Sequence, residues 1–136
     1  MQRIFVYGTL EFPAVIKKLL GTSLVGEWAQ AQGYARYLLV NRNYPGMVSQ
    51  SGSSVDGVLY HGLTPKYIRL LDRYEDDIYE RRQIQVLNVH GGSTSAWAYV
   101  IPLRYKQELS NQPWDREYFA NTQLKRFLNV RSSTFR

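Results

Sequence analysis

A chain of 136 residues matches the size of one compact domain. Its 44% hydrophobic and 21% charged content excludes a disordered tail. The absence of Cys excludes a disulfide framework, a thiolate metal site and a Cys nucleophile, and no apolar run is long enough for a membrane-spanning helix. The opening MQRIFVYGTLEF lacks the apolar stretch of a signal peptide, so a cytoplasmic protein without membrane association is expected.

Eleven Tyr and a net charge of +6 raise nucleic acid as a partner. The charge is unevenly spread: residues 1–103 carry ten basic and eight acidic side chains, residues 104–136 seven and three. Two-thirds of the excess therefore lies in the last quarter, with no run of five like charges. Such a segment reads as a solvated helix with a frayed end, RSSTFR. Binding of phosphate backbones through the basic C-terminal region is the lesser alternative.

In chain order, Ile4-Phe5-Val6 reads as a buried strand ended by a turn at Gly8-Thr9. Pro13 opens a helix through Val15, Ile16, Leu19 and Leu20, closed by Gly21. A strand over Trp28–Val40 runs into the turn cluster Asn41–Gly46, and Ser49–Ser54 reads as a Ser/Gly loop. Val55–Leu63 is a strand. Thr64-Pro65 then supplies a capping hydroxyl and a first-turn proline for the helix KYIRLLDRY, which buries Ile68, Leu71 and Tyr74 or Leu70. Alternation around Ile84 and Val86, the pair Gly91-Gly92 and the run Ser95–Ile101 predict a hairpin ended by Pro102. Pro113 opens a last helix through Tyr118, Phe119, Leu124, Phe127 and Leu128. Short strands with inserted helices, not alternating regularly, imply an α+β fold with a curved or barrel-like sheet closed on itself, within a single domain of residues 1–136.

Two constellations carry chemistry. Asp72, Glu75, Asp76, Asp77 and Glu80 fall at or just past the C-terminus of the helix begun at Pro65. The helix macrodipole is negative there, so each carboxylate is disfavoured, and capping rules would place Lys, Arg or Gly instead. The same field favours the neutral acid, and a partly buried carboxyl of raised pKa can exchange protons near neutral pH. Exposed acids paired with Arg73, Arg81 and Arg82 are the plain alternative. Glu75 stands out because Tyr74 and Tyr79 flank it, whereas Asp76 and Asp77 read as solvated turn residues. The second constellation is Tyr7-Gly8-Thr9-Leu10, whose strand-to-helix turn can converge backbone N–H groups on an anionic oxygen. His61 and His90 lack metal-ligand spacing, and no phosphate loop or nucleophile elbow occurs.

The ordered set Val6-Tyr7-Gly8-Thr9-Leu10, Tyr44-Pro45-Gly46, Asp56–Tyr60, Leu71-Asp72-Arg73-Tyr74-Glu75, Tyr79-Glu80-Arg81 and Ala96–Tyr99 resembles the gamma-glutamylcyclotransferase-like superfamily. That superfamily includes gamma-glutamylamine cyclotransferases and avirulence-induced-gene-like proteins. The resemblance covers about residues 3–101 and leaves 104–136 as a helical extension. It implies a small mixed β-barrel with inserted helices and a cavity between the YGTL loop and the end of the LDxYE helix. Enzymatic members release 5-oxoproline from small gamma-glutamyl compounds without cofactor or metal. Glu75 maps onto the catalytic carboxylate, and Tyr7, Gly8, Thr9 and Leu10 onto the substrate loop, which would hold the α-carboxylate or the oxyanion. Tyr44, Pro45, Tyr79 and Arg81 map onto cavity or structural support, with Arg81 expected to pair with a carboxylate. A non-catalytic binding or regulatory module on the same fold is the alternative. Two departures stand out: Asp76 replaces a common Gly, and Glu11-Phe12-Pro13 replace a basic or small residue and a Gly at the expected cavity rim.

Overall fold

The computed structural model describes residues 2–129, so RSSTFR lies outside the described residues. In chain order the elements are β1 (Gln2–Val6), a 3-10 turn (Thr9–Glu11), α1 (Pro13–Leu20), β2 (Gly26–Leu38), β3 (Pro45–Leu63) and α2 (Pro65–Tyr74). They continue with β4 (Glu80–Asn88), β5 (Ser93–Val100), a second 3-10 segment (Leu103–Glu108), α3 (Arg116–Thr122) and α4 (Leu124–Asn129). The sheet closes into a barrel in the order β1-β3-β2-β4-β5. All neighbours are antiparallel except β1 and β5, which meet in parallel at Ile4 and Trp97. The expected mixed barrel is the observed fold.

Strand periodicity explains the core. Side chains alternate across a strand, so β1 sends Phe5 into the barrel while Ile4 and Val6 face the helices. Both faces are covered, which is why β1 is a continuous apolar run. The interior is kept narrow by Ala29, Ala31, Ala96 and Ala98, packed around Phe5, Met47, Val55 and Leu59. Against the outer face lie Phe12, Val15 and Ile16 of the α1 region, Ile68 and Leu71 of α2, and Trp114, Phe119 and Phe127 of the C-terminal segment. Burying each such large side chain contributes about 1.5–3 kcal/mol. Trp114, Phe119 and Phe127 thus tie the C-terminal segment to the core, with Phe119 against Phe12 at 5.6 Å between ring centroids.

Several boundaries differ from the sequence expectation. Ser49–Ser54 is part of β3, paired with β2 through Gln32↔Ser54 and Tyr34↔Ser49 across a register shift. This part of the β2–β3 pair is a solvent-exposed ribbon, so backbone pairing suffices and no apolar face is needed. Gly52, at φ 84°, lets the chain bulge there. After Pro102 the chain forms the 3-10 segment, at the start of the expected helical extension. The last helix starts at Arg116, capped by Asp115 accepting from the Tyr118 N–H (3.0 Å), and it breaks at Gln123 into α3 and α4. No helix among the described residues is long and apolar enough to cross a membrane.

Candidate active site

The site is built at the end of β1. α2 is fixed at its start by Thr64, whose side chain accepts from the Tyr67 N–H (3.2 Å), and by Pro65 in the first turn. Its buried stripe of Ile68, Leu71 and Tyr74 seats it on the barrel. The helix stops at Glu75, which is extended (φ −72°, ψ 147°) while its N–H still donates to Leu71 O at 3.0 Å. Glu75 is thereby the half-buried cap of a seated helix.

Facing it, the chain leaves β1 through Tyr7-Gly8 into the 3-10 turn, where the Glu11 N–H donates to Gly8 O at 2.9 Å. The N–H groups of Thr9 and Leu10 precede this first hydrogen bond of the turn, the position where helical donors have no partner within the turn. Gly8 is required by close approach: a Cβ there would lie 2.7 Å from Pro45 Cγ and 2.8 Å from Cδ.

Tyr7, Gly8, Thr9, Leu10, Tyr44, Pro45, Glu75, Tyr79 and Tyr99, with Phe5 and Val6 beneath, enclose a cavity with about 320 Å³ of empty space including its mouth. The tyrosines are anchored. Tyr7 donates to Tyr99 O and Tyr79 to Pro45 O, each at 2.5 Å. Thr9 Oγ1 and Tyr74 OH are hydrogen-bonded at 3.3 Å. These hydrogen bonds fix the phenols that wall the cavity.

Electrostatics is concentrated around Tyr99. Its hydroxyl donates to Asp72 Oδ1 at 2.6 Å. Burial, the hydrogen bond to Asp72 and the nearby Glu75 and Asp72 charges push the phenol far above its usual range. Tyr99 is therefore a permanent donor beside two carboxylates. Asp72 is held from its other side by Arg81, which forks onto it at 2.9 and 3.2 Å and stacks 4.2 Å from the Trp97 ring centroid. Arg81 stands outside the cavity lining and pairs with Asp72. Cross-strand pairing of Arg81 with Tyr99 puts both on one face of the sheet, next to Asp72.

Two expectations are corrected. Asp76 is no solvated turn residue: the Tyr44 hydroxyl donates to it at 2.9 Å and Arg42 pairs with it at 3.3 Å, so its charge is balanced away from Glu75. Glu11 does not form the cavity rim. Its side chain turns to the opposite side of the loop and is 3% exposed, because the tight turn after Leu10 points it beneath α3. Sequence reasoning also missed Asp72 and Tyr99 as a hydrogen-bonded pair, and the guanidinium of Arg36, which donates to Tyr7 O at 2.8 Å. Only the β4–β5 register, with its Arg81–Tyr99 pairing, could have signalled the first.

The two histidines stand apart from this cavity, His61 pairing with Glu27 at 2.7 Å and His90 sitting in the β4–β5 turn. No cluster of three or more His, Cys, Asp or Glu able to hold a metal occurs among the described residues.

The chain matches known proteins over most of its length. The model of the family described as gamma-glutamyl cyclotransferase, AIG2-like, matches residues 4–117. The chain belongs to this family. The AIG2-like protein D of Arabidopsis thaliana is 32% identical over 132 residues, covering 96% of this chain and 86% of that protein. The AIG2-like protein C of the same plant is 32% identical over 84 residues, and there the match spans 62% of this chain and about half, 49%, of the relative. Among solved structures, an Arabidopsis thaliana protein known from solution superposes with a TM-score of 0.75 at 26% identity, covering 93% of this chain and 77% of that one. The AIG2-like match extends past residue 101 to Glu117, so it takes in Trp114 and Arg116, which the sequence reading placed beyond the common core.

Proposed function

We propose that the protein is a gamma-glutamyl cyclotransferase-type enzyme that releases 5-oxoproline from a small gamma-glutamyl compound, with Glu75 as its general base and acid. One observation supports this most: the half-buried Glu75, a seated helix cap, faces the Tyr7–Leu10 turn across one cavity walled by anchored tyrosines.

The chemistry suits a site with a single proton carrier. A gamma-glutamyl group holds its own nucleophile, the α-amine, in position to form a five-membered ring on the γ-carbonyl carbon. Intramolecular attack of this kind has a high effective molarity, so the protein supplies no nucleophile. The new bond joins the α-nitrogen to the γ-carbon, and the bond from that carbon to the leaving amine breaks. Two protons leave the α-ammonium and two reach the departing amine, so one carboxyl acting as base and then acid accounts for the transfers. The N–H groups at the start of the 3-10 turn receive an anionic oxygen of the substrate, its α-carboxylate or the developing oxyanion. Tyr99, always protonated, keeps a donor beside the carboxylates throughout. A Cys-free enzyme for small amino-acid derivatives fits a cytoplasmic setting.

The test is a screen of gamma-glutamyl dipeptides and gamma-glutamylamines for 5-oxoproline release, with Glu75→Gln beside the wild type. Turnover by the wild type and its loss in the variant are expected. A wild type that turns over none of them removes the enzymatic reading, and an equally active Glu75→Gln removes Glu75 from the mechanism.

A further inference from the structure

Behind the substrate loop lies a second charged centre that the chemistry above does not use. Glu11 ends the 3-10 turn and its side chain is 3% exposed. Arg36 of β2 reaches it with Nη1 at 3.9 Å from Oε2, and Arg116 of α3 with Nε at 3.8 Å from Oε1. The same Arg36 Nη1 donates to Tyr7 O (2.8 Å) and to Asp56 O (3.2 Å). One guanidinium nitrogen thus hydrogen-bonds the carbonyl at the root of the YGTL loop and lies within ion-pair distance of the carboxyl at its end. Tyr60 holds the backbone of the same residue, its hydroxyl donating to Glu11 O at 3.0 Å. The C-terminal segment reaches the residues around this centre at two further points. Trp114 lies with its ring centroid 5.5 Å from the Arg36 guanidinium carbon, and Arg116 stacks 4.4 Å over Phe12, the residue after Glu11.

We propose that Glu11, clamped between Arg36 and Arg116, is a positioning residue for the Tyr7–Leu10 loop, through which the C-terminal segment at Trp114–Arg116 sets the shape of a cavity it does not line. The proposal rests on the loop being the substrate site, but the coupling itself is a property of the fold. Both guanidinia lie beyond hydrogen-bond distance of the carboxylate, so the clamp acts through charge and changes when that charge changes. The groups facing Glu11 are Arg36 from β2, Arg116 from α3, and Asp56 and Tyr60 from β3; Glu27 of β2 lines the same outer cleft. Burial raises the Glu11 pKa from 4.5 to about 7, with Arg36 and Arg116 opposing the rise and Asp56 adding to it. Near neutral pH the clamp switches between a charged form that draws Arg36 toward the end of the loop and a neutral form that leaves Arg36 on Tyr7 O.

The experiment follows the backbone amide resonances of Gly8, Thr9 and Leu10 by NMR between pH 5.5 and 8.5, without any ligand. In the wild type they should titrate with a midpoint near 7, the value toward which burial raises Glu11. Glu11→Gln should flatten that titration while Glu75→Gln leaves it in place. Arg116→Gln should move the midpoint upward and Asp56→Asn downward, two shifts of opposite sign that a merely structural role would not produce. These two variants also carry the test should Glu11→Gln fail to fold. Loop amides that do not titrate, or that titrate unchanged in Glu11→Gln, overturn the proposal, as does a midpoint indifferent to Arg116→Gln and Asp56→Asn. The outcome is independent of the 5-oxoproline screen: that screen can fail with the loop titration intact, and the reverse.

Discussion

Two carboxylates flank the YGTL loop, and the fold treats them in opposite ways. Glu75 is held by its backbone, as the last hydrogen-bonded residue of a seated helix, and its side chain is half-buried in the cavity wall. Glu11 is held by its side chain's surroundings, sealed under α3 between two guanidinia with almost no exposure. Burial by itself therefore does not identify a proton carrier. A group that exchanges protons with a substrate must be reachable, and a group that holds a loop in shape need not be. The difference also separates two kinds of failure, loss of chemistry and loss of shape.

The largest effect should come from the reachable carboxylate. Glu75→Gln preserves size and hydrogen-bonding shape but removes the proton carrier, and general acid–base loss of this kind costs about 10²–10⁴-fold in rate. We expect 5-oxoproline release to fall by roughly 10³-fold with melting temperature little altered. Glu11→Gln should reduce the rate less, and its deficit should vary with pH. Equal, pH-independent losses in the two variants would abolish the distinction.

Next in size is a pH dependence of stability that belongs to the sealed carboxylate alone. Its folded-state pKa is raised from 4.5 to about 7, so in that window the folded protein keeps a proton that the unfolded chain has released. Stability from this group is fully present below about 4.5 and is lost as pH rises through about 7. The rise corresponds to about 3 kcal/mol. Urea unfolding at several pH values should show the wild type losing stability relative to Glu11→Gln from pH 5 to pH 8. Parallel curves would mean that Arg36 and Arg116 neutralise Glu11 fully.

How much of this was legible in the sequence follows from the kind of contact involved. The loop and the helix end depend on short local patterns, a strand broken at Gly8 and a helix capped at Thr64 and ending at Glu75, which a sequence displays directly, whereas their meeting in one cavity was implied only by the family resemblance. Ser49–Ser54 misled because backbone pairing in an exposed ribbon needs no apolar periodicity. Asp76 misled because its partners, Tyr44 and Arg42, come from another strand end more than thirty positions away. The Glu11 clamp was invisible for the same reason: Arg36 and Arg116 converge on it from β2 and α3, and neither spacing has a local signature.

The wall shared by both sides of the loop offers an effect of middle size. A Cβ at Gly8 would press on Pro45 at 2.7 Å, and overpacking of this order costs about 1–3 kcal/mol. Gly8→Ala should lower unfolding free energy by about 2 kcal/mol in chemical denaturation and narrow the cavity. A neutral Gly8→Ala would mean that the loop yields easily, and the contrast between a fixed site and its clamp would weaken.

The smallest effect concerns the hydroxyl between Asp72 and Glu75. Tyr99→Phe removes one hydrogen bond to a charged acceptor, nominally about 1.5–3 kcal/mol. Asp72 keeps its fork to Arg81, however, and 40% of its side chain is exposed, so water and Arg81 replace much of what is lost. A cost of about 1 kcal/mol in urea unfolding is expected on that account. The Tyr99 phenol is pushed so far above its usual range that it donates at every working pH, and the variant should lose the same stability at pH 6 and pH 9. That flat profile is the counterpart of the Glu11 slope: one buried polar group is fixed in a single protonation state, the other is balanced between two. A Tyr99→Phe loss that grew with pH would instead mean that the phenol ionises beside the two carboxylates, and the permanent donor assigned to the cavity would have to be found elsewhere.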